Sequence, residues 1–317
     1  MRPPAPRSRR RGTAPGTHVP VLVREVLRWL RPAAGEAVVD CTLGYGGHSA
    51  EFCRRIGPAG RLIGLDVDGA WLARAGERLR SIGTPLCLHR RSFAELDAVL
   101  AAEGLDGADV IFADLGASSM QIDDPSRGIH YAHDGPLDMR MDDRLPQTGA
   151  DLLAALPKAE LSAALRELAD EPDHDRIAEW IVRQRGVAAI TRTGELTRLV
   201  FHAKGTTPKA WAKRADYDTP YPAARTFQAL RIMVNDELGN LTRLLELAPG
   251  CLRPGGRIGI ISFHSGEDRL VKRAFRDGRR DGVYSAVSPT VIRPRPGEMR
   301  ANPRSSSASF RWAVRAK

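Results

Sequence analysis

The chain has 317 residues, 42% of them hydrophobic, enough for one large domain or two ordinary ones with a full core. Its net charge of +10, supplied mostly by arginine, points to an anionic partner, nucleic acid or an anionic membrane surface, with a solvated basic surface as the alternative. No apolar run approaches a membrane span, and the four cysteines form no C-x-x-C pair, so they read as reduced core thiols of a cytoplasmic protein.

Residues 1–17 are rich in proline and arginine, lack the apolar stretch of a secretory signal, and read as a disordered basic arm. Pro20 is expected to open an amphipathic helix through Leu30. A strand–helix alternation follows, with strands at about 37–42, 61–66, 85–89 and 108–114 and helices at about 49–56, 69–81 and 93–103. This rhythm implies a parallel, doubly wound α/β sheet, which binds ligands at the carboxyl ends of its strands. Asp40, Asp66 and Asp114 fall at or near those ends. Residues 115–147 are irregular, and such long segments in compact proteins are usually functional or mobile. Four helices are expected at 148–156, 158–169, 176–186 and 193–203, as a helical insertion in the sheet. A polar loop over 205–221 carries Lys209, Lys213 and Arg214 around Trp211, Tyr217 and Tyr221. Bases stack on aromatics and phosphates need charge, so the loop suits single-stranded RNA; a solvated loop with anchoring aromatics is the equal alternative. A long helix at 223–247, a turn at Pro254-Gly255-Gly256, a strand at 257–262, a helix from His264 to about Phe275 and an edge strand at 309–314 complete the chain.

The richest stretch is the strand–turn–helix from Val38 to Ser49, with Gly44, Gly46 and Gly47 in the turn. Asp66 lies about 20 residues on, where an acidic residue in a βαβ unit meets a ribose hydroxyl. The glycine spacing is not the dinucleotide fingerprint, which disfavours a pyrophosphate ligand and suits S-adenosylmethionine. A plain tight turn is the competing reading. His130 and His133 stand amid Asp123, Asp124, Asp134 and Asp138, but their spacing matches no zinc signature, and no metal is expected.

Several blocks together resemble the bacterial 16S rRNA (cytosine-N4)-methyltransferase family. They are His18 to Leu22, Asp40 to Ser49, Gly64 to Asp68, Asp114 to Asp123, Asp134 to Asp142, Thr226 to Ile232, Ile261 to Ser265 and Asn302 to Arg304, in family order over nearly the whole chain. The resemblance implies a class I S-adenosylmethionine-dependent methyltransferase (Rossmann-like) sheet at 18–137 and 223–317, and an all-helical substrate domain inserted at 138–222. It implies S-adenosylmethionine as donor, and 16S rRNA or the small ribosomal subunit as partner, with a decoding-centre cytosine as acceptor. Carried over position by position, the cofactor contacts are Gly46, Gly47, His48, Asp66, Phe93, Asp114 and Gln121. The chain departs from the family pattern at Ile129-His130-Tyr131, around Asp170 to Asp173, at Gly266 and at Ser305 to Ser307.

Methyl transfer from a sulfonium mainly requires alignment of donor and nucleophile. Asp114 is expected to position the donor or the acceptor amine, with Asp138 and His264 as further candidates; an Asp138–Arg140 ion pair is the competing reading. Lys209, Trp211, Lys213, Arg214 and Arg140 are the RNA-binding candidates. A methyltransferase acting on another RNA and a non-catalytic RNA- or ribosome-binding factor of the same fold are the alternative functions. No cysteine lies between Cys87 and Cys251, which disfavours a covalent route through the pyrimidine ring. The acceptor base must leave its stack to reach a pocket.

Overall fold

A computed structural model of the chain describes residues 19–214 and 221–317. The basic arm, His18, Tyr217 and the side chain of Arg214 lie outside the described residues. Seven strands, β1 (Ala37–Asp40), β2 (Arg61–Leu65), β3 (Leu86–His89), β4 (Ala108–Asp114), β5 (Leu252–Ser262), β6 (Tyr284–Val287) and β7 (Ser309–Arg315), form one sheet in the order β3-β2-β1-β4-β5-β7-β6. Neighbours among β1 to β5 pair in parallel, and β7 runs antiparallel to both β5 and β6. Strand order reverses between β1 and β4, so the carboxyl ends there open a crevice, the place where such sheets bind ligands.

The strands are apolar because both faces are covered. Within β1, Val38 faces a core with Phe52, Phe112 and Phe310, while Val39 faces the opposite core with Ile111, Leu244 and Ile258. Each fully buried aliphatic or aromatic side chain there is worth roughly 1.5–3 kcal/mol of transfer free energy. A third apolar cluster gathers side chains from Leu137 to Val234, including Leu161, Ile177, Ile181, Leu196 and Phe227. It packs the helices Gly149–Ala155, Lys158–Ala169, His174–Arg185 and Thr193–Ala203 against Ala224–Asn235. Among the described residues no helix is long and apolar enough to cross a membrane.

Several elements differ from expectation, among them β5, which starts at Leu252 and takes in the expected turn at Pro254-Gly255-Gly256. The first helix begins at Val23, because Leu22 adopts left-handed backbone (φ 56°) and gives its N–H to Glu298 Oε1 at 2.7 Å. The expected helix over 223–247 is two helices, Ala224–Asn235 and Glu237–Cys251, broken at Asp236 (φ 46°). No proline or glycine marks the break. It is held by Asn235, whose Oδ1 accepts the Met141 N–H at 2.7 Å and whose Nδ2 donates to Met139 O at 2.8 Å. The strand at 309–314 is not an edge: β7 lies between β5 and β6, and the short β6 after a basic helix gave no readable signal. That basic helix, Ser265–Arg280, also runs past Phe275. The polar loop contains a helix at Pro208–Arg214.

Candidate active site

A cavity of about 780 Å³ opens over the carboxyl ends of β1, β2 and β4. Its first wall is the turn after β1. Asp40 anchors it: Oδ1 accepts the Thr42 N–H at 3.2 Å and Oδ2 the Ser49 hydroxyl at 2.6 Å. Burial pushes the Asp40 carboxyl up to about 6, against the Ser49 and Thr42 hydrogen bonds that favour its ionised form. Gly44 and Gly46 hold φ of 50° and 74°, the left-handed region where only glycine is unstrained. Gly44 passes its N–H to Asp66 Oδ2 at 2.7 Å, and the Asp68 N–H reaches Asp66 Oδ1 at 2.9 Å. Asp66 is thereby fixed with both oxygens anchored and further lone pairs open; burial pushes its carboxyl up to about 6 as well.

Gly47, His48, Asp66, Phe93, Asp114 and Gln121 line this cavity, as the sequence suggested for cofactor contacts. Gly46 does not line it. Its N–H closes the turn onto Leu43 O at 2.7 Å, and a Cβ there would stand 3.2 Å from Leu79 Cδ1. Gly46 is therefore the glycine that lets the turn pack on the helix Gly69–Arg80, a role the sequence spacing had left unfilled. Tyr45, Trp71 and Phe93 supply aromatic lining near the glycine turn and Phe263 lines the cavity as well, with Tyr45 and Trp71 edge to face at 6.3 Å.

His48 is 5% exposed. Its Nε2 lies 2.8 Å from Val21 O, which can only accept, so Nε2 carries the proton. Nδ1 then stands 3.7 Å from Asp114 Oδ2. Asp114 ends β4, with its N–H on Thr42 Oγ1 at 2.6 Å. Burial, then Asp40 and Glu267, hold its carboxyl well above the usual carboxylate range. Gln121 is locked by a capping box in which its Oε1 accepts the Ser118 N–H at 2.9 Å, and its Nε2 donates to Asp68 Oδ2 at 3.2 Å. Asp68, 3% exposed, was missed from sequence. It caps the helix Gly69–Arg80, and its Oδ2 also takes Arg127 Nη2 at 2.6 Å, tying the irregular segment to β2.

The far end of the cavity is acidic and tightly paired. Arg231 grips both Glu237 oxygens at 2.8 and 3.0 Å, and Glu267 Oε2 accepts the Phe263 N–H at 2.8 Å. Asn302 and Arg304 line the same cavity; Arg304 pairs with Asp123 at 2.5 Å, and Asn302 Nδ2 donates to Val19 O at 3.2 Å. His264 sits behind this floor, not on it, with Nε2 3.3 Å from Glu267 Oε1. Glu237, His264 and Glu267 have ligand atoms within 4.8 Å of one another, but the Arg231 guanidinium already supplies the neutralising cation.

Asp138 and Arg140 lie outside the cavity. They form the bidentate ion pair weighed as the competing reading, Arg140 Nε and Nη2 each donating to Asp138 at 2.8 Å, while Arg140 Nη1 reaches Leu145 O at 2.8 Å. Arg140 and its hydrogen bonds hold the Asp138 carboxyl below the usual range despite burial, which pushes the other way. Lys209, Trp211 and Lys213 share the helix Pro208–Arg214, away from the cavity lining. All four cysteines are free thiols.

A sequence model described as the MraW methylase family matches residues 16–316. A protein of Symbiobacterium thermophilum named ribosomal RNA small subunit methyltransferase H is 42% identical over 313 residues, covering 94% of this chain and 96% of that protein. One of Lachnoclostridium phytofermentans, named ribosomal RNA small subunit methyltransferase H 1, is 41% identical over 312 residues, covering 96% of this chain and 84% of that protein. A solved structure described as an rRNA methylase from Streptococcus thermophilus covers 95% of this chain and all of its own, with 12% identity and a TM-score of 0.42.

Proposed function

Because this chain belongs to the MraW methylase family, we propose that it methylates the N4 amine of a cytosine in the decoding centre of 16S rRNA. It is an rRNA methyltransferase, and its methyl donor is S-adenosylmethionine. One observation carries the finer reading: a single cavity joins the glycine turn and Asp66 to an acceptor-rich floor of Asp114, Glu237 and Glu267. The amine of cytosine offers two N–H donors, and a floor of carboxylates matches them.

The residues fit the donor. The open lone pairs of Asp66 suit the ribose hydroxyls, and Tyr45, Trp71 and Phe93 suit the purine. S-adenosylmethionine supplies, when bound, a methyl activated by its sulfonium for in-line displacement. Asp114 accepts an N–H of the amine, which localises the nitrogen lone pair and turns it toward the donor side. Positive charge entering the cavity favours the carboxylate form of Asp114 against the burial that opposes it. His48, held by Val21 O, keeps its Nδ1 on the Asp114 side, 3.7 Å from Oδ2, and so orients that carboxyl's surroundings at the cavity floor. Asp138, clamped by Arg140, and His264, behind Glu267, shape the surrounding shell. The helices of 138–222 form the substrate-recognition domain.

The test is transfer of labelled methyl to small subunits and to free rRNA, with nucleoside analysis of the product. N4-methylcytidine is expected; label on a ring carbon or a ribose oxygen, or no label from protein that binds its donor, would sink the reading. Asp114→Asn is expected to lose about 100-fold or more in turnover at saturating donor, the size seen when one preorganised polar contact is removed from a reacting centre.

A further inference from the structure

Four aromatic rings run from the cavity to the lysine-bearing helix Pro208–Arg214. His130 lines the cavity and stacks on Tyr131 with ring centroids 4.1 Å apart. Tyr131 stacks on Tyr221 at 4.3 Å, with planes only 8° apart. Tyr221 meets Trp211 edge to face at 5.1 Å. Phe227 and Phe201 brace the column from the side, each near 80° to the ring it touches. Trp211 belongs to the helix that presents the exposed Lys209 and Lys213.

We propose that this column backs a track for unpaired RNA: its inner rings cover one another's faces, and His130, its last platform, offers the face on which a nucleobase stacks at the mouth of the cavity. The inference rests on the proposed function for the identity of the RNA, and on the geometry alone for the track. Stacked rings anchored at one end among lysines and ended at the other by a half-exposed ring on a cavity wall place base stacking beside phosphate charge, the combination that binds single strands. A purely structural aromatic cluster has no need to end on a polar ring facing a cavity.

His130 is built for the role. Its Nδ1 accepts the Ala132 N–H at 3.2 Å, which fixes the ring and leaves the proton on Nε2. Burial, with His133 and Arg304 nearby, lowers its pKa and keeps the ring neutral, so stacking and not charge is its contribution.

The experiment uses the full chain, saturated with S-adenosylhomocysteine, and a labelled unpaired oligoribonucleotide containing a cytosine, followed by fluorescence anisotropy. His130→Ala is expected to weaken binding by roughly 5- to 150-fold, the range for loss of one stacked base. His130→Phe keeps a ring and is expected to stay within about 2-fold of the unaltered chain, whereas His130→Gln, which keeps polarity without a ring, should fall with the alanine variant. Calorimetric affinity for S-adenosylhomocysteine and the melting temperature, both unchanged, separate lost stacking from misfolding. Absence of oligonucleotide binding by the unaltered chain, equal binding by His130→Ala, or loss in His130→Phe as deep as in His130→Gln overturns the track. None of these readouts depends on methyl transfer, so a failure of the cytosine assignment, scored by nucleoside analysis, is distinguishable from a failure here.

Discussion

The two ends of the cavity are built differently. At the donor end, polar atoms are held by partners from adjacent strands and turns: Asp40 by Thr42 and Ser49, Asp66 by Gly44 and Asp68. These are mostly backbone N–H groups, whose positions follow once the sheet forms. At the acceptor end side-chain pairs join distant segments, as in Arg304 with Asp123, or cross the helix break, as in Arg231 with Glu237, beside backbone contacts such as Glu267 with the Phe263 N–H. The donor end is thus a product of the fold, and the acceptor end is a product of packing between otherwise separate parts. Substitutions should therefore affect donor binding sharply at one end, and acceptor binding or stability at the other.

The strongest test of that division is Arg231→Met. Both members of the Arg231–Glu237 pair are largely buried, with side-chain exposures of 16% and 10%. Removing one leaves a buried charge uncompensated, at a cost of about 3–5 kcal/mol in unfolding free energy. The double variant Arg231→Met, Glu237→Leu should recover most of it, because the pair pays its own desolvation. Donor affinity of the folded protein should change little in either. A large loss of donor affinity would show that the ends are not separable.

Asp66→Ala attacks the other end. It strips the acceptor from two backbone N–H groups and from the donor's ribose, and donor affinity should fall by about 100-fold, near 3 kcal/mol, by calorimetry. The same carboxyl makes donor binding pH-dependent. Its folded-state value is pushed up to about 6, so above that pH it is ionised and accepts hydrogen bonds, and below it affinity should fall toward tenfold per unit, about 10-fold at pH 5. The stability sign is opposite. Between about 3.8 and 6 the folded state holds protons on Asp40 and Asp66 that the unfolded chain has released, so these two carboxyls make the protein less stable as pH rises through that window. Asp40→Asn should remove its share of that slope in denaturant titrations.

The donor end was legible because strand-end carboxylates recur at the spacing of the βαβ repeat, so Asp40 and Asp66 announce themselves, as does Asp114 on the acceptor side. Asp68 was legible in principle: it precedes a helix as a cap residue, and Ser118-x-x-Gln121 is a capping box whose glutamine needs a partner. The helix break at Asp236 was not, since it is imposed by Asn235 binding a loop 94 residues earlier in the chain. Nor was the placement of Asp138. The sequence gives the short Asp138-x-Arg140 spacing, but whether the carboxylate faces a cavity or its neighbour is decided by the fold around Leu145. β6 failed for lack of length: four residues carry too little alternation to be seen.

The gentlest probe is Arg304→Ala. Arg304 and Asp123 are exposed by 39% and 36%, so the pair should contribute under about 1 kcal/mol to stability. Yet both line the cavity, and Arg304 Nη1 also reaches Ser119 O at 3.3 Å, so the guanidinium pins the segment carrying Gln121 against the turn Pro303–Ser307 that precedes β7. If the acceptor end is an assembly of separate parts, loosening this pin should raise KM for the RNA several-fold while leaving the melting temperature within a few degrees and donor affinity unchanged. Arg304→Lys keeps the charge but not the forked contact to both Asp123 and Ser119, so it should resemble the alanine variant in KM. Full recovery by lysine would mean that Arg304 acts on the RNA through charge alone, and that the segments at this end are held together by something other than their side-chain pairs.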